Sequence, residues 1–276
     1  MSWEAVVVAL DDGELLRSRV SLYRHPLAGR PILWHIVNAL AAVDPGPARV
    51  TVLHRAGVPL AAGDDWPPVR FVGAEDGEHA HALRSLVAAE GPRLVVDGAA
   101  PLLSPPTLAR LLRAADAGVA TLLDGNEHTA RIAVAGDGDA LAAADDPRMP
   151  RGAARVAPTA AAELLRVVDR HTLAEASVAT HDRLVRQHES GGVSFLLPAT
   201  TWVDVDVRIG ADTVIYPGVV LEGATSIGSE CVIGPHSRVL ESTIGRGVEL
   251  RGWNYVTRTS LRNHAILEPY ERRGVD

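Results

Sequence analysis

From Val203 to Leu267 a repeat of six residues limits the fold more tightly than any other feature of the chain. Aliphatic residues stand at Val203, Ile209, Ile215, Leu221, Ile227, Ile233 and Val239, then at Ile244, Leu250, Val256, Leu261 and Leu267, with two steps shortened to five residues. Glycine follows the aliphatic residue at Gly210, Gly228, Gly234 and Gly245, and small residues recur four positions after it at Thr213, Thr225, Cys231 and Ser237. Three such hexads make one triangular coil, whose interior takes one aliphatic and one small side chain per face. Its corners need tight turns, which accounts for the glycines. The repeat predicts a short left-handed parallel β-helix of about three to four coils.

The first half reads differently. Short β-rich runs at Ala5–Leu10, Arg49–His54, Val69–Val72, Arg93–Asp97 and Val119–Leu123 alternate with helical patterns in "PILWHIVNALAAV", "HALRSLVAAEG" and "PPTLARLLRAAD". Alternation of this kind predicts βαβ units and a mainly parallel, doubly wound, Rossmann-like α/β domain. After Asp124 the pattern loosens. The segment "GDGDALAAADDPRMPRGAARVAPT" reads either as a hairpin or as an unpaired loop. Helical spacing across residues 160–189 predicts a connecting helix ending at Gly191-Gly192. The expected divisions are an α/β domain over 1–159, a helical linker over 160–192 and the β-helix over 193–276.

Composition removes several classes of function. The net charge is −7 with no basic block, whereas nucleic-acid binding needs clustered positive charge, so no nucleic-acid partner is expected. Cys231 is the only cysteine, which excludes an intrachain disulfide. No apolar run approaches the roughly 20 residues that span a bilayer, and the N-terminus lacks the basic start of a signal peptide. A cytoplasmic protein without membrane insertion is expected. All 27 basic residues are arginine. Arginine keeps its charge and donor fork but does not titrate, nor present the compact point charge of an ammonium.

In order along the chain, "HPLAGRPILWHIV", "DGAAPLLSPPTLARLL", "DRHTLAEA" and the hexad region 196–250 resemble a bacterial bifunctional enzyme family. That family fuses an N-acetylglucosamine-1-phosphate uridyltransferase to a β-helical glucosamine-1-phosphate acetyltransferase. The resemblance is dense in the repeat and patchy before it. It implies a nucleotidyltransferase-type α/β domain, and it locates the positions where such a site would lie.

Several of those positions have changed. The family's glycine-rich phosphate loop falls on "LDDGELLRSR", where only Gly13 remains and Asp11, Asp12 and Glu14 would repel a triphosphate. The family's catalytic lysine falls on Leu22; Arg17 and Arg19 are the available substitutes. The Mg²⁺-binding aspartate of the Gly-Asp-x-Pro stretch falls on Ala99, after Gly98, with Asp97 two positions earlier in the strand. The second metal position, an asparagine in the family, falls on Asp169, whose carboxylate suits Mg²⁺. "GEHAHAL" faintly echoes the uracil-recognition segment; His79 and His81 either face the pocket or belong to a solvated loop.

The resemblance further implies that the acetyltransferase site, built from later coils, is missing, because "ILEPYERRGVD" matches the region just before them. His236 and His264 lie on different coils with no third histidine at matching spacing, and read as corner residues or as part of a zinc site. Trp202, Trp253, Tyr255 and Tyr270 concentrate in the repeat and suit either core or interface. Arg251, Arg258, Arg262, Arg272 and Arg273 form a loose basic set. The joint loss of loop, lysine and metal ligand predicts a non-catalytic, homotrimeric binding or scaffold subunit that needs no cofactor and can join a larger assembly. The alternative is a divergent, Mg²⁺-dependent uridyltransferase acting on a sugar 1-phosphate, with Arg17 or Arg19 on the phosphate and Asp97 with Asp169 on the metal.

Overall fold

A computed structural model describes residues 2–11, 13–88, 91–122, 133–144, 146–148 and 152–274. Asp12 and Leu123 lie outside them. The chain divides into two compact units, one of Met1–Pro26 with Pro31–Ala176, the other of Leu27–Arg30 with Ser177–Asp276. Among the described residues no helix is long and apolar enough to cross a membrane.

Seven strands of the first unit form one sheet among the described residues: β1 (Glu4–Ala9), β2 (Arg49–Arg55), β3 (Arg70–Ala74), β4 (Pro92–Asp97), β5 (Ala120–Leu122), β6 (Ala133–Asp137) and β7 (Ala154–Val156). Their order is β3-β2-β1-β4-β6-β5-β7. The unbroken "AVVVA" of β1 is buried, as a strand covered on both faces must be. It pairs in parallel with β2 on one side and β4 on the other. Strand order reverses between β1 and β4, and the carboxyl end of such a switch is where open α/β sheets bind ligands. Val8 and Asp97 are partners there. The expected helices form as α1 (Ile32–Ala41), α2 (His79–Val87) and α3 (Pro105–Ala114), and a short helix α4 (Gly138–Ala142) follows β6.

Among the described residues the loop-rich segment makes no hairpin of its own. β6 inserts antiparallel between β4 and β5, while β7 adds parallel to β5. Helical pairing across 160–189 is also narrower than the spacing predicts. Ala161–Leu164 forms one 3₁₀ turn, and the long helix α5 occupies only Arg170–Ser190. Between them the backbone is held to the sheet end, with the Val167 N–H donating to the Ala99 carbonyl at 2.8 Å.

The second unit is the β-helix. Its three sheets contain five, five and four strands, stacked in parallel, giving four complete coils and two strands of a fifth. This exceeds the expected coil number because Ser194–Phe195 opens an earlier coil by pairing with Val214–Ile215. A 3₁₀ turn at Pro198–Thr200 lengthens that coil and hides it from the six-residue pattern. The aliphatic positions Ile215, Leu221, Ile233, Val239, Leu250 and Val256 fill the interior with no exposed surface. Thr213 and Cys231 fill the small positions and are hydrogen-bonded: Thr213 Oγ1 donates to the Gly228 carbonyl at 2.9 Å.

The glycines have a different cause from tight corners. Gly210, Gly228, Gly234 and Gly245 are absent from the left-handed backbone region. What excludes a side chain is the next coil: a Cβ on Gly228 would lie 2.7 Å from the Arg246 nitrogen and 2.8 Å from the Gly245 carbonyl carbon. The left-handed corners are held largely by larger residues, including Asp212, Glu230, Glu241 and Arg258. At one corner His236, Trp253 and Tyr270, with φ of 55°, 51° and 66°, lie on successive coils. Their rings stack, with centroids 5.4 Å and 5.5 Å apart. Trp253 and Tyr270 are therefore exposed stacking partners rather than core residues. His264 occupies a different corner, with φ 58°. Tyr255 lies between the guanidinium groups of Arg238 and Arg272. Much of the basic set is paired within the chain: Arg251 with Glu249 and Glu268, Arg258 with Glu241, and Arg273 with Glu271.

Leu27–Arg30, from the middle of "HPLAGRP", pack with this unit. The Val205 N–H donates to the Ala28 carbonyl at 3.0 Å, and Arg30 pairs with Asp206.

Candidate functional site

Four backbone donors of the turn after β1 are engaged. The Asp11 N–H donates to the Tyr23 hydroxyl at 2.9 Å, and the Gly13 N–H to the Asp11 carboxylate at 2.9 Å. The Leu16 N–H is taken by the Gly13 carbonyl at 2.9 Å and the Arg17 N–H by the Glu14 carbonyl at 3.0 Å. Gly13 does adopt a left-handed φ of 69°. An anion cradle needs free N–H groups aimed at a common point, and these four are engaged within the chain. Arg17 is exposed, with a left-handed φ of 48°. Arg19 is also exposed and lines a separate cleft beside the turn. Leu22, at the lysine position, is fully buried.

Tyr23, Asp97 and Arg166 occupy the switch point. Arg166 Nε donates to Asp97 Oδ2 at 2.5 Å, and the Ala99 N–H to Oδ1 at 2.8 Å. Both carboxylate oxygens are thus engaged. Burial pushes the Asp97 pKa up, opposed chiefly by the Arg166 charge. Tyr23 is buried against this cluster, and its hydroxyl pKa is driven far up, first by burial and then by the Asp97 charge. Gly98 leaves room for this packing, since a Cβ there would lie 3.2 Å from Tyr23 Cε1. Arg166 reaches Asp97 because the neighbouring Val167 is tied to Ala99.

Asp169 has a local partner. It accepts from the Thr172 N–H at 2.8 Å while its own N–H donates to Thr172 Oγ1 at 3.0 Å, a reciprocal cap at the start of α5. The Thr172 hydrogen bonds hold the Asp169 carboxyl below its usual range. Asp169→Ala is expected to lower the melting temperature and increase exchange of the first α5 amides, whereas Asp169→Asn, also a good cap, restores both. Equal exchange in all three proteins would show that the cap contributes nothing.

His79 opens α2 and lines a cleft of about 350 Å³ with Leu10, Leu83 and Arg148, whose guanidinium pairs with Asp146 at 3.1 Å. His81 is exposed and outside that lining. The structure therefore groups Asp97 and Gly98 around Tyr23 and sets Gly13 against Leu22, while Arg19 and His79 line separate clefts. Among the described residues no three His, Cys, Asp or Glu side chains form a metal-binding group. Tyr23 and Arg166 escape sequence reasoning because "SLYRH" and "ELLRVV" carry no motif; their partners are distant in sequence.

The fold defines a nucleotidyltransferase-like α/β unit followed along the chain by a hexapeptide β-helix. The family "Bacterial transferase hexapeptide (six repeats)" matches residues 206–241. A nucleotidyl transferase from Methanothermobacter thermautotroptrophicus shares the fold, with TM-score 0.51 and 20% identity, over 67% of this chain and 99% of that one. Bifunctional protein GlmU of Mycolicibacterium gilvum is 30% identical over 346 residues, covering 96% of this chain and 66% of that protein. The corresponding protein of Alkaliphilus metalliredigens is 35% identical over 108 residues, 39% of this chain and 24% of its own length. The chain is GlmU-like, and its matches cover 66% of the first of these relatives and 24% of the second.

Proposed function

We propose that this chain is a non-catalytic, GlmU-like subunit that binds or scaffolds as a homotrimer assembled through its β-helix. The observation that carries the reading is the self-satisfied strand-end site. Four backbone donors of the turn, those of Asp11, Gly13, Leu16 and Arg17, and both oxygens of Asp97 are bonded within the chain. A nucleotide would have to displace these contacts before it gained any of its own. Mg²⁺ fits poorly as well, because Asp97 is held by a guanidinium and Asp169 by the cap on α5. Phosphoryl-group chemistry depends on positioning and charge neutralisation, and at this position the chain supplies an arginine–carboxylate pair. Assembly is supported by the regular three-sheet stack of the β-helix, whose faces can pack without changing their coils.

The test is to incubate the protein with UTP, N-acetylglucosamine 1-phosphate and Mg²⁺ and to measure pyrophosphate, with light scattering for the oligomer. The expected outcome is no turnover above buffer and a trimer mass. Mg²⁺-dependent turnover above buffer would defeat the proposal and favour the uridyltransferase alternative.

A further inference from the structure

We infer that a cleft at the amino ends of β1 and β4 binds a small organic ammonium ion, its apolar body against Trp3, Val43 and Leu112 and its charge beside Asp44 and Asp116. The cleft has a volume of about 300 Å³, at the small end of ligand sites. Trp3 precedes β1 and Pro92 opens β4, so the lining lies at the other end of these strands from Val8 and Asp97. No residue of the turn after β1 contributes to it.

Trp3 is buried, and its indole N–H donates to the Pro45 carbonyl at 2.8 Å. That bond fixes the ring and uses its one polar atom, so the indole offers a ligand only apolar and π surface. α1 ends at Ala41, and the chain leaves it through Val43, Asp44 and Pro45. α3 ends at Ala114 and passes into a 3₁₀ turn over Ala115–Ala117 that contains Asp116. Two helix carboxyl ends therefore border one cleft, and each brings a partial negative charge.

Charge decides the sign of the ligand. The lining holds two carboxylates, Asp44 and Asp116, against one guanidinium, Arg113. All three are exposed and, among the described residues, form no ion pair. Arg93, next to Pro92, is outside the lining and lies 3.7 Å from Glu4. Met1 and Glu90, each two positions from a lining residue, lie outside the described residues, and the amino group of one offsets the carboxylate of the other in the count. The helix ends and the carboxylates act in the same direction, and an aromatic wall also favours a cation. A hydrated metal ion would gain nothing from the apolar wall, and a neutral apolar molecule nothing from the acidic rim. A compact amine with a single ring uses both. The inference is independent of whether the strand-end cluster is catalytic and of the oligomeric state.

Isothermal titration of the full chain at low salt tests it, with phenethylammonium as the probe, phenylacetate as the anionic control and phenethyl alcohol as the neutral one. Saturable one-to-one binding of phenethylammonium is expected, weakening as salt rises, with both controls at least about fivefold weaker. Replacing both carboxylates, Asp44→Asn with Asp116→Asn, is expected to weaken phenethylammonium binding about fivefold. Arg113→Gln should do the opposite and tighten it, a change of sign that general loosening of the fold would not produce. All three side chains are exposed, and circular dichroism verifies the fold of each variant. Absence of saturable phenethylammonium binding up to about 10 mM, a control that binds as tightly, or unchanged affinity in either folded variant overturns the inference.

Discussion

Gly228→Ala is expected to lower the stability of the β-helix by about 3 kcal/mol, the upper end of what overpacking costs. The added methyl would meet the Arg246 nitrogen, the Gly245 carbonyl carbon and Arg246 Cα, all within 2.9 Å, and all three are main-chain atoms of the next coil. A side chain in that position could rotate away; a backbone cannot. Nor can the coils separate locally, because the Gly228 N–H donates to the Ile244 carbonyl at 2.8 Å and Thr213 Oγ1 donates to the Gly228 carbonyl. Gly46→Ala is the control, since its nearest neighbour would be the Val43 carbonyl at 3.6 Å, an ordinary contact. Denaturant unfolding combined with peptide-resolved hydrogen exchange reads the difference. Stability of Gly228→Ala within about 0.5 kcal/mol of the parent would mean that the coils are not in the close contact described.

The second large effect belongs to Arg166→Leu. Removing one partner of a fully buried ion pair costs roughly 3–5 kcal/mol; with the Arg166 side chain 37% exposed, solvent screening reduces the expectation to about 2 kcal/mol. The loss should depend on pH in a defined direction. Burial already holds the folded Asp97 pKa above its unfolded value. Its contribution to stability is therefore fully present below the unfolded carboxylate pKa of about 3.9 and is lost as pH rises through the folded value. Without Arg166 the folded pKa rises further, so the deficit relative to the parent should be widest near neutral pH and narrow as the carboxyl becomes protonated. Paired denaturant titrations across this range measure it. A deficit constant with pH would show that Arg166 acts through packing of its stem rather than its charge.

The repeat was legible because each coil interior accepts a single side-chain size, so Ile215, Ile233 and Leu250 announce their neighbours in sequence. Phe195 was not, since the extra turn at 198–200 breaks the count without breaking the pairing. For the glycines, sequence gave the right positions and the wrong cause. Corners tolerate Trp253 and Glu241 at positive φ, whereas close approach between coils tolerates nothing beyond hydrogen. In the α/β unit the valines of β1 and the acid at the end of β4 could be read directly. The partner of that acid could not: Arg166 is 69 residues away, and only the tie between Val167 and Ala99 brings it there. The cap at Asp169 lies within reach of sequence reasoning, because aspartate directly before a helical run is an ordinary start signal.

Parallel stacking in which each strand pairs only with the equivalent strand one coil away has a thermodynamic consequence. Stability in such an array is nearly a sum over nearest-neighbour interfaces, like that of a linear chain of coupled spins. Coils with one neighbour should open first, and exchange protection should rise inward from both ends of the stack. The fold thus resembles a ladder in which the number of rungs can vary while the spacing between them stays fixed.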